Sequence, residues 1–176
     1  MCIFCNYGCR ITNVNHLDTI VSALDAVLSP THIIAKNEAA AREIEGMERY
    51  TKALKGDLVD EVSLTENGAH FVAPLAEGQK TGWFYDHRSA RQAMAPLARG
   101  ARVLDVFSHV GGFALAMLAG GAVSALSVDG SAPALDLATR GAQAGGMADR
   151  FDTRQGDAFD VMTALAGEGA QFDVVV

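Results

Sequence analysis

The sequence predicts an α/β fold in which a small α+β unit precedes part of a parallel sheet. From residue 101 onward, short apolar runs alternate with helical patterns, as in proteins whose parallel strands are joined by crossover helices. Residues 16–77 differ, because they combine an amphipathic helical pattern with a hairpin signal. A third observation is a glycine pair just after the first strand of the alternating region, where open α/β sheets bind ligands.

The α+β unit is predicted to contain a helix, a strand, a second helix and a hairpin, over residues 16–28, 31–36, 38–46, 60–65 and 69–75. Pro30 ends the first helix, and Asn37 is the expected N-cap of the second. Asn67-Gly68 joins the last two strands and is a strong hairpin signal, because both residues tolerate positive φ.

In the alternating region, four strands are predicted over residues 101–107, 123–128, 150–154 and 172–176. Three helices are predicted between them, over residues 111–119, 132–143 and 158–165. The predicted domains are therefore a leader over 1–15, a small α+β domain over 16–77 and an α/β domain over 78–176.

The 176 residues carry a formal net charge of −7. Because affinity for phosphate comes from Lys and Arg, this charge argues against a simple RNA-binding module. No apolar run approaches the roughly 20 residues that a membrane-spanning helix needs. The first ten residues lack the pattern of a secretory signal. We therefore expect a cytoplasmic protein with no membrane contact.

All cysteines of the chain, Cys2, Cys5 and Cys9, lie within the first ten residues. Their spacing admits an iron–sulfur or zinc site with His16 as a fourth ligand. A structural zinc site normally pairs two such elements, and the sequence offers one. We therefore expect no metal site and interpret residues 1–15 as a disordered leader.

Three acidic residues follow successive predicted strands, at the sheet edge where ligands bind. Asp105 precedes a turn with Gly111 and Gly112, and this turn suits the carboxylate and ribose region of a nucleoside–amino-acid cofactor. Asp129 is placed to accept hydrogen bonds from ribose hydroxyls, and Asp157 from an adenine amino group. The turn lacks the G-x-G-x-x-G pattern of dinucleotide-binding folds.

Each acid also has a purely structural interpretation. Asp105 could hold a turn, while Asp129 and Asp157 could cap the helices that follow them. Because the three acids occur in order on successive strands, together they favour a nucleotide-type cofactor.

The most specific motif of the chain is GQKTGWFYDHR at residues 78–88. With the segments 103–113, 129–131, 156–157 and 172–176, it resembles the large-subunit ribosomal RNA cytosine-5 methyltransferase family over residues 31–176. The resemblance implies an RNA-binding PUA domain, a middle domain matching residues 16–77, and a class I, Rossmann-like methyltransferase domain. It also implies S-adenosyl-L-methionine as cofactor and ribosomal RNA as substrate.

By the same resemblance, Asp105 and Gly111 line the methionine end of the cofactor, Asp129 holds its ribose and Asp157 its adenine. The implied cofactor-binding residues are Lys80, Thr81, Phe84, Asp86, Arg88, Asp105, Phe107, Ser108, Gly111, Gly112, Asp129, Gly130, Ser131, Asp157 and Ala158. The chain departs from the family pattern at His109, Val110 and Gly130. Within the 78–88 motif, we interpret Trp83 and Phe84 as packing at the domain junction, and Lys80 and Arg88 as facing cofactor or RNA.

The family's Asp-Pro-Pro catalytic segment would follow Val176. We therefore expect the catalytic residues downstream of this chain, an inactive chain by itself, and either self-association through the sheet edge at 172–176 or poor folding. Methylation of cytosine C5 needs a cysteine thiolate, and no cysteine lies between Arg10 and Val176, whereas methylation of a base nitrogen needs none. The alternatives are a nucleotide-dependent oxidoreductase, a non-catalytic nucleotide- or RNA-binding Rossmann-like module, and an iron–sulfur protein.

Overall fold

The computed structural model describes residues 2–5, 16–75 and 82–176. The chain divides into two compact units. The N-terminal unit comprises Met1–Val62 and Pro74–Gly82, and the C-terminal unit comprises Ser63–Ala73 and Trp83–Val176. Most of the hairpin thus groups with the C-terminal unit.

The N-terminal unit contains a three-stranded sheet in the order β1-β2-β3, with β1 parallel and β3 antiparallel to β2. Its elements are β1 (Cys2–Cys5), α1 (Leu17–Leu28), β2 (His32–Asn37), α2 (Ala41–Ile44) and β3 (Tyr50–Lys55). β2 forms the centre of this sheet, and its residues Ile33, Ile34 and Ala35 are buried.

The structure corrects three expectations for this unit. The predicted helix over 38–46 is reduced to the single turn of α2, and Asn37 is the last residue of β2 rather than an N-cap. The reason is strand pairing: Asn37 pairs with Tyr50 in β3, a strand that the sequence analysis missed. Cys2–Cys5 form a strand, which differs from the disordered leader expected there, while Cys9 lies outside the described residues.

The predicted hairpin is confirmed as β4 (Glu61–Glu66) and β5 (Ala69–Pro74). Its turn residues Asn67 and Gly68 have φ of 51° and 83°, the left-handed values that a two-residue hairpin turn requires. Residues 63–73 of the hairpin belong to the C-terminal unit. A Cβ at Gly141 would stand 3.2 Å from the His70 carbonyl oxygen, so the backbone of β5 approaches the helix that carries Gly141 closely.

The predicted parallel sheet of the C-terminal unit is confirmed, with strand order β8-β7-β6-β9 and parallel pairing throughout. Its strands are β6 (Arg102–Val106), β7 (Ser124–Asp129), β8 (Phe151–Gln155) and β9 (Val174–Val175). Its helices are α3 (Arg88–Met94), α4 (Gly112–Ala119), α5 (Ala132–Ala144) and α6 (Ala158–Gly167). The chain order reverses between β6 and β9, which creates the crevice where doubly wound sheets bind ligands.

Apolar packing fixes the helices on this sheet. α4 is buried over Ala114–Leu118, and α6 packs through Val161 and Leu165 against Leu104 of β6 and Val128 of β7. The strand ends beside the crevice are therefore held on a rigid base. Across the described parts of the chain, no helix combines the length and apolar character needed to cross a membrane.

Candidate cofactor site

A cavity of about 270 Å³ opens at the carboxyl end of β6. The loop after β6 and Val176, the residue after β9, line this cavity. The cavity therefore occupies the crevice between β6 and β9 that the strand order predicts. Trp83, Phe84, His87 and Arg91 from the segment before β6 complete the lining.

Asp105, near the end of β6, is a buried acid that lines the cavity with only 2% of its surface exposed. Its Oδ2 accepts a hydrogen bond of 2.9 Å from the backbone N–H of Ala114 in α4. Burial raises the pKa of Asp105 to about 7, although the N–H groups of Ala114 and Phe113 oppose the rise. A cation entering the cavity would favour the charged form of this carboxyl group.

The loop after β6 has an unusual backbone. Phe107, His109 and Gly111 have φ of 60°, 51° and 72°, and a positive φ is costly for bulky side chains such as Phe. Two hydrogen bonds tie the loop to β7: Ser108 N–H donates to the Val128 carbonyl at 3.0 Å, and His109 N–H donates to Asp129 Oδ2 at 2.7 Å. Strained backbone of this kind is typical of binding and catalytic sites.

Gly111 is required by both conformation and packing. Besides its φ of 72°, a Cβ at this position would lie 3.0 Å from the Cβ of Ala138 in α5. Gly112, the first residue of α4, faces the cavity. The predicted glycine pair thus serves two purposes, because Gly111 lets the helices approach and Gly112 leaves the cavity open.

Ser108 points a buried hydroxyl at the site. Its Oγ has no hydrogen-bond partner among the residues that the structure describes. Ser108 is only 6% exposed, and it lines the cavity. Buried hydroxyl groups nearly always have a partner. A ligand atom in the cavity would supply one, as the prediction of Ser108 in the cofactor site requires.

Aromatic rings form part of the cavity wall. Phe84 stacks on His87 with 5.4 Å between ring centroids, and it meets the ring of His109 edge-on at 5.8 Å. Burial lowers the pKa of His109, an effect that the charge of Asp129 partly offsets. The lowered pKa favours the neutral form of His109, and the wall presents planar surfaces suited to apolar parts of a ligand.

Asp129 ends β7 and organises the two loops beside it. Oδ2 accepts from His109 N–H, and Oδ1 accepts from Ser131 N–H at 2.9 Å. The N-cap of α5 is Ser131, whose Oγ accepts from Ala134 N–H at 3.3 Å, so the capping interpretation of Asp129 is wrong. Gly130, which lies between Asp129 and Ser131, is exposed. Asp129 keeps free lone pairs for further donors, as a ribose-binding role requires.

Asp157 does cap the helix that follows it. Its Oδ1 accepts from the N–H groups of Phe159 and Asp160, at 2.9 and 3.2 Å, at the start of α6. The structural interpretation of Asp157 is confirmed, and its contact with adenine stays a prediction. Ala158 is buried as the first residue of α6.

The structure separates the predicted residues of the 78–88 motif. Phe84 lines the cavity, whereas Asp86 and Arg88 are exposed and do not line it. Lys80 and Thr81 lie outside the described residues. Trp83, expected to pack at a domain junction, is buried against Phe71 of β5 within the C-terminal unit and also borders the cavity.

Arg91 is a cavity residue that the sequence analysis missed. It is 2% exposed, and its Nε donates to Glu66 Oε1 at 2.7 Å. Glu66, at the end of β4, is 7% exposed and also accepts from Trp83 Nε1 at 3.4 Å. Arg91 Nη2 donates to the Phe84 carbonyl at 3.0 Å. An arginine three residues after Arg88 gives no sequence signal of burial, because its partner lies 25 positions away.

No group of three His, Cys, Asp or Glu side chains able to hold a metal ion occurs in the parts of the chain that the structure describes. Cys2 and Cys5 lie in β1, and the third cysteine of the predicted leader is outside those parts.

Known proteins resemble this chain in both sequence and fold. It is 36% identical over 162 residues to a ribosomal RNA large subunit methyltransferase I of Alteromonas mediterranea, and 34% identical over 161 residues to that of Photobacterium profundum. These alignments cover 92% and 90% of this chain but 41% of each relative, so the chain spans about two fifths of their length.

Among solved structures, a putative SAM-dependent methyltransferase from Streptococcus mutans superposes with a TM-score of 0.77 at 22% identity, covering 99% of this chain and 44% of that one. SMU.776, a putative methyltransferase complexed with SAH, superposes with a TM-score of 0.72 at 24% identity, covering 90% and 40%. Residues 36–150 match the family described as S-adenosylmethionine-dependent methyltransferase. This chain belongs to that family, and its cofactor is S-adenosyl-L-methionine.

Proposed function

We propose that the chain carries the cofactor site of an enzyme that methylates a base of large-subunit ribosomal RNA. One observation carries the proposal. The cavity between β6 and β9 is lined by the buried acid Asp105, by the Ser108 hydroxyl, which is unpartnered within the described parts of the chain, and by Gly112 at the start of α4. The names of the relatives at 34–36% identity support ribosomal RNA as the substrate.

The residues present fit the cofactor. Its methionine end would lie against Asp105, Ser108 and Gly112, which line the cavity, and near Gly111, which does not line it; the buried acid can pair with the α-ammonium group. The ribose would bind Asp129 beside Gly130 and Ser131, which follow β7.

The adenine would lie toward Asp157 and Ala158, which follow β8. When bound, the cofactor supplies an electrophilic methyl group on its sulfonium. The chain's own residues hold and orient it, and Phe84 and Phe107 line the cavity beside it.

For the acceptor, we propose carbon 5 of a cytosine. That reaction needs a thiolate that attacks carbon 6, and the cysteines of this chain are confined to residues 2, 5 and 9. We therefore expect the 176 residues to bind cofactor without transferring a methyl group. Nucleoside analysis of the modified RNA would distinguish 5-methylcytosine from a base methylated on nitrogen, which requires positioning alone.

The cofactor part of the proposal is tested by calorimetry with the 176-residue chain. We expect S-adenosylhomocysteine to bind and NAD not to bind, because the turn after β6 lacks the dinucleotide pattern. Binding of NAD in preference would support the oxidoreductase alternative.

The substrate part is tested in the host. Deleting the gene should remove one methylated base from the large-subunit ribosomal RNA, and unchanged RNA methylation would contradict the proposal. The cytoplasm is the expected location of this RNA substrate.

We also propose that residues 16–77 form a middle domain of the longer family architecture and that the edge of the parallel sheet permits self-association. β9 is the terminal strand of the sheet order in the described residues, and Val175 is 61% exposed. Sedimentation velocity at increasing concentration should show a rising average mass. A constant monomer mass would contradict the second part.

A further inference from the structure

Arg91 is the buried positive charge of the cofactor cavity. A guanidinium carries five N–H donors. Two of them are engaged among the described residues, by Glu66 Oε1 and by the Phe84 carbonyl. The remaining donors include both on Nη1, for which the described residues provide no partner. Since Arg91 lines the cavity, this edge of the guanidinium is available to a ligand.

The free edge lies at the opening of α4. A Cβ built on Gly112 would stand 3.7 Å from Arg91 Nη1, so the guanidinium lies over the first residue of that helix. The N-terminus of a helix and an arginine both favour negative charge. An anionic group entering here would meet both.

Arg91 cannot move freely to other positions. Glu66 holds its Nε, the Trp83 ring lies 4.3 Å from its guanidinium carbon, and the Phe84 carbonyl fixes Nη2. Glu66 itself is fixed by a second donor, Trp83 Nε1. The Arg91 side chain is therefore already ordered before a ligand binds. Binding then costs less conformational entropy, which favours affinity.

The cavity thus offers a fixed cation, Arg91, and a buried acid, Asp105. An α-amino acid group carries the complementary pair of charges, a carboxylate and an ammonium. We propose that Arg91 binds the α-carboxylate of the cofactor's methionine part and that Glu66 is the positioning residue that holds Arg91 for this contact. This inference rests on the proposed cofactor site.

The experiment compares two ligands on the 176-residue chain by calorimetry. S-adenosylhomocysteine carries the amino acid group, and 5′-methylthioadenosine is the same nucleoside without it. We expect the wild type to prefer S-adenosylhomocysteine. In Arg91→Lys, which loses the planar two-donor edge, that preference should fall by about 10- to 100-fold, while affinity for 5′-methylthioadenosine should change by less than about 3-fold.

Arg99→Lys is the matched control, since Arg99 is exposed and outside the cavity lining. A second variant, Glu66→Met with Arg91→Met, replaces the buried pair without leaving a lone charge and guards against misfolding. It should bind 5′-methylthioadenosine as the wild type does and show no preference for S-adenosylhomocysteine.

For Glu66, the informative variant is Glu66→Gln. It should weaken the binding of S-adenosylhomocysteine, by a smaller factor than Arg91→Lys does. It should leave the binding of 5′-methylthioadenosine unchanged.

Three results would overturn the inference: a wild type without preference between the ligands, equal losses for both ligands in Arg91→Lys, or a preference retained in the double variant. Failure of the wild type to bind either ligand would instead reject the proposed cofactor site itself, so the two failures are distinguishable.

Discussion

Asp105 at the end of β6 and Asp157 just after β8 occupy comparable places at one edge of the same parallel sheet, yet their surroundings differ. Asp105 is 2% exposed, and burial raises its pKa to about 7. Asp157 is exposed and accepts two backbone hydrogen bonds that cap α6. Burial disfavours the charged form of Asp105, whereas Asp157 stabilises the start of α6.

Position at a strand end therefore does not by itself assign an acid to the cofactor. A buried carboxyl group with a raised pKa is a stronger sign of function than an exposed one that caps a helix. Asp129 lies between these extremes, because it is half-buried and joins the loops after β6 and β7 through two N–H groups.

The largest expected effect concerns Asp105 and stability. Because its folded pKa of about 7 exceeds the ordinary value of 3.8, its contribution to stability is full below pH 3.8 and is lost as pH rises through 7. The loss is about 4 kcal/mol at most. Asp105→Asn should abolish it, so the variant should be more stable than wild type at pH 8 in urea unfolding. Asp157→Asn, which keeps the cap, should show no such gain, and an equal gain in both variants would contradict the difference in burial between the two acids.

The next effect concerns the loop that follows Asp105. Gly111→Ala combines a φ of 72° with a contact of 3.0 Å to Ala138, and it should destabilise the protein by about 2–3 kcal/mol. Gly100→Ala is the control, since Gly100 has a φ of 75° but no atom within 4 Å of the added Cβ. It should cost about 1 kcal/mol. Chemical denaturation of both variants measures the difference, and equal costs would show that packing against α5 is unimportant.

A smaller effect is the pH dependence of binding. If the ammonium group of the cofactor pairs with charged Asp105, the affinity for S-adenosylhomocysteine should fall by about tenfold between pH 7.5 and pH 6. Burial lowers the pKa of His109, which disfavours the charged form of that ring over this range. Calorimetry on the wild type and on Asp105→Asn distinguishes the titration of Asp105 from that of His109. The variant should bind S-adenosylhomocysteine weakly, and its affinity should not change with pH over this range.

The smallest effect belongs to Asp157. Removal of its cap in Asp157→Ala should cost about 1 kcal/mol, and Asp157→Ser should restore most of it. If Asp157 also contacts adenine, Asp157→Ser should remain weaker than wild type in binding S-adenosylhomocysteine. Full recovery of binding with serine would leave Asp157 with its structural role alone.

The sequence predicted the C-terminal unit well, because its two central strands, β6 and β7, are short apolar runs and helical patterns alternate with the strands. It predicted the hairpin as well, since Asn67-Gly68 specifies its turn locally. It failed for β3 and for most of the helix expected over 38–46, where pairing with β2 outweighed local helical preference.

Within the site, the acids and glycines were visible as motifs, but Arg91 and Glu66 were not. Their burial depends on a hairpin folding against a later segment, and neither residue type is normally buried. Such a contact can be found only once the chain is folded.

The ion pair between β4 and α3 also limits how the protein can be divided for study. A shortened protein beginning at Gly78, the boundary suggested by the motif, would lack Glu66 and leave the Arg91 guanidinium buried without its counter-charge. Loss of one partner of such a pair costs about 3–5 kcal/mol, a large share of the stability of a small domain. A stable C-terminal piece should therefore begin before Glu61, so that the whole hairpin travels with the sheet.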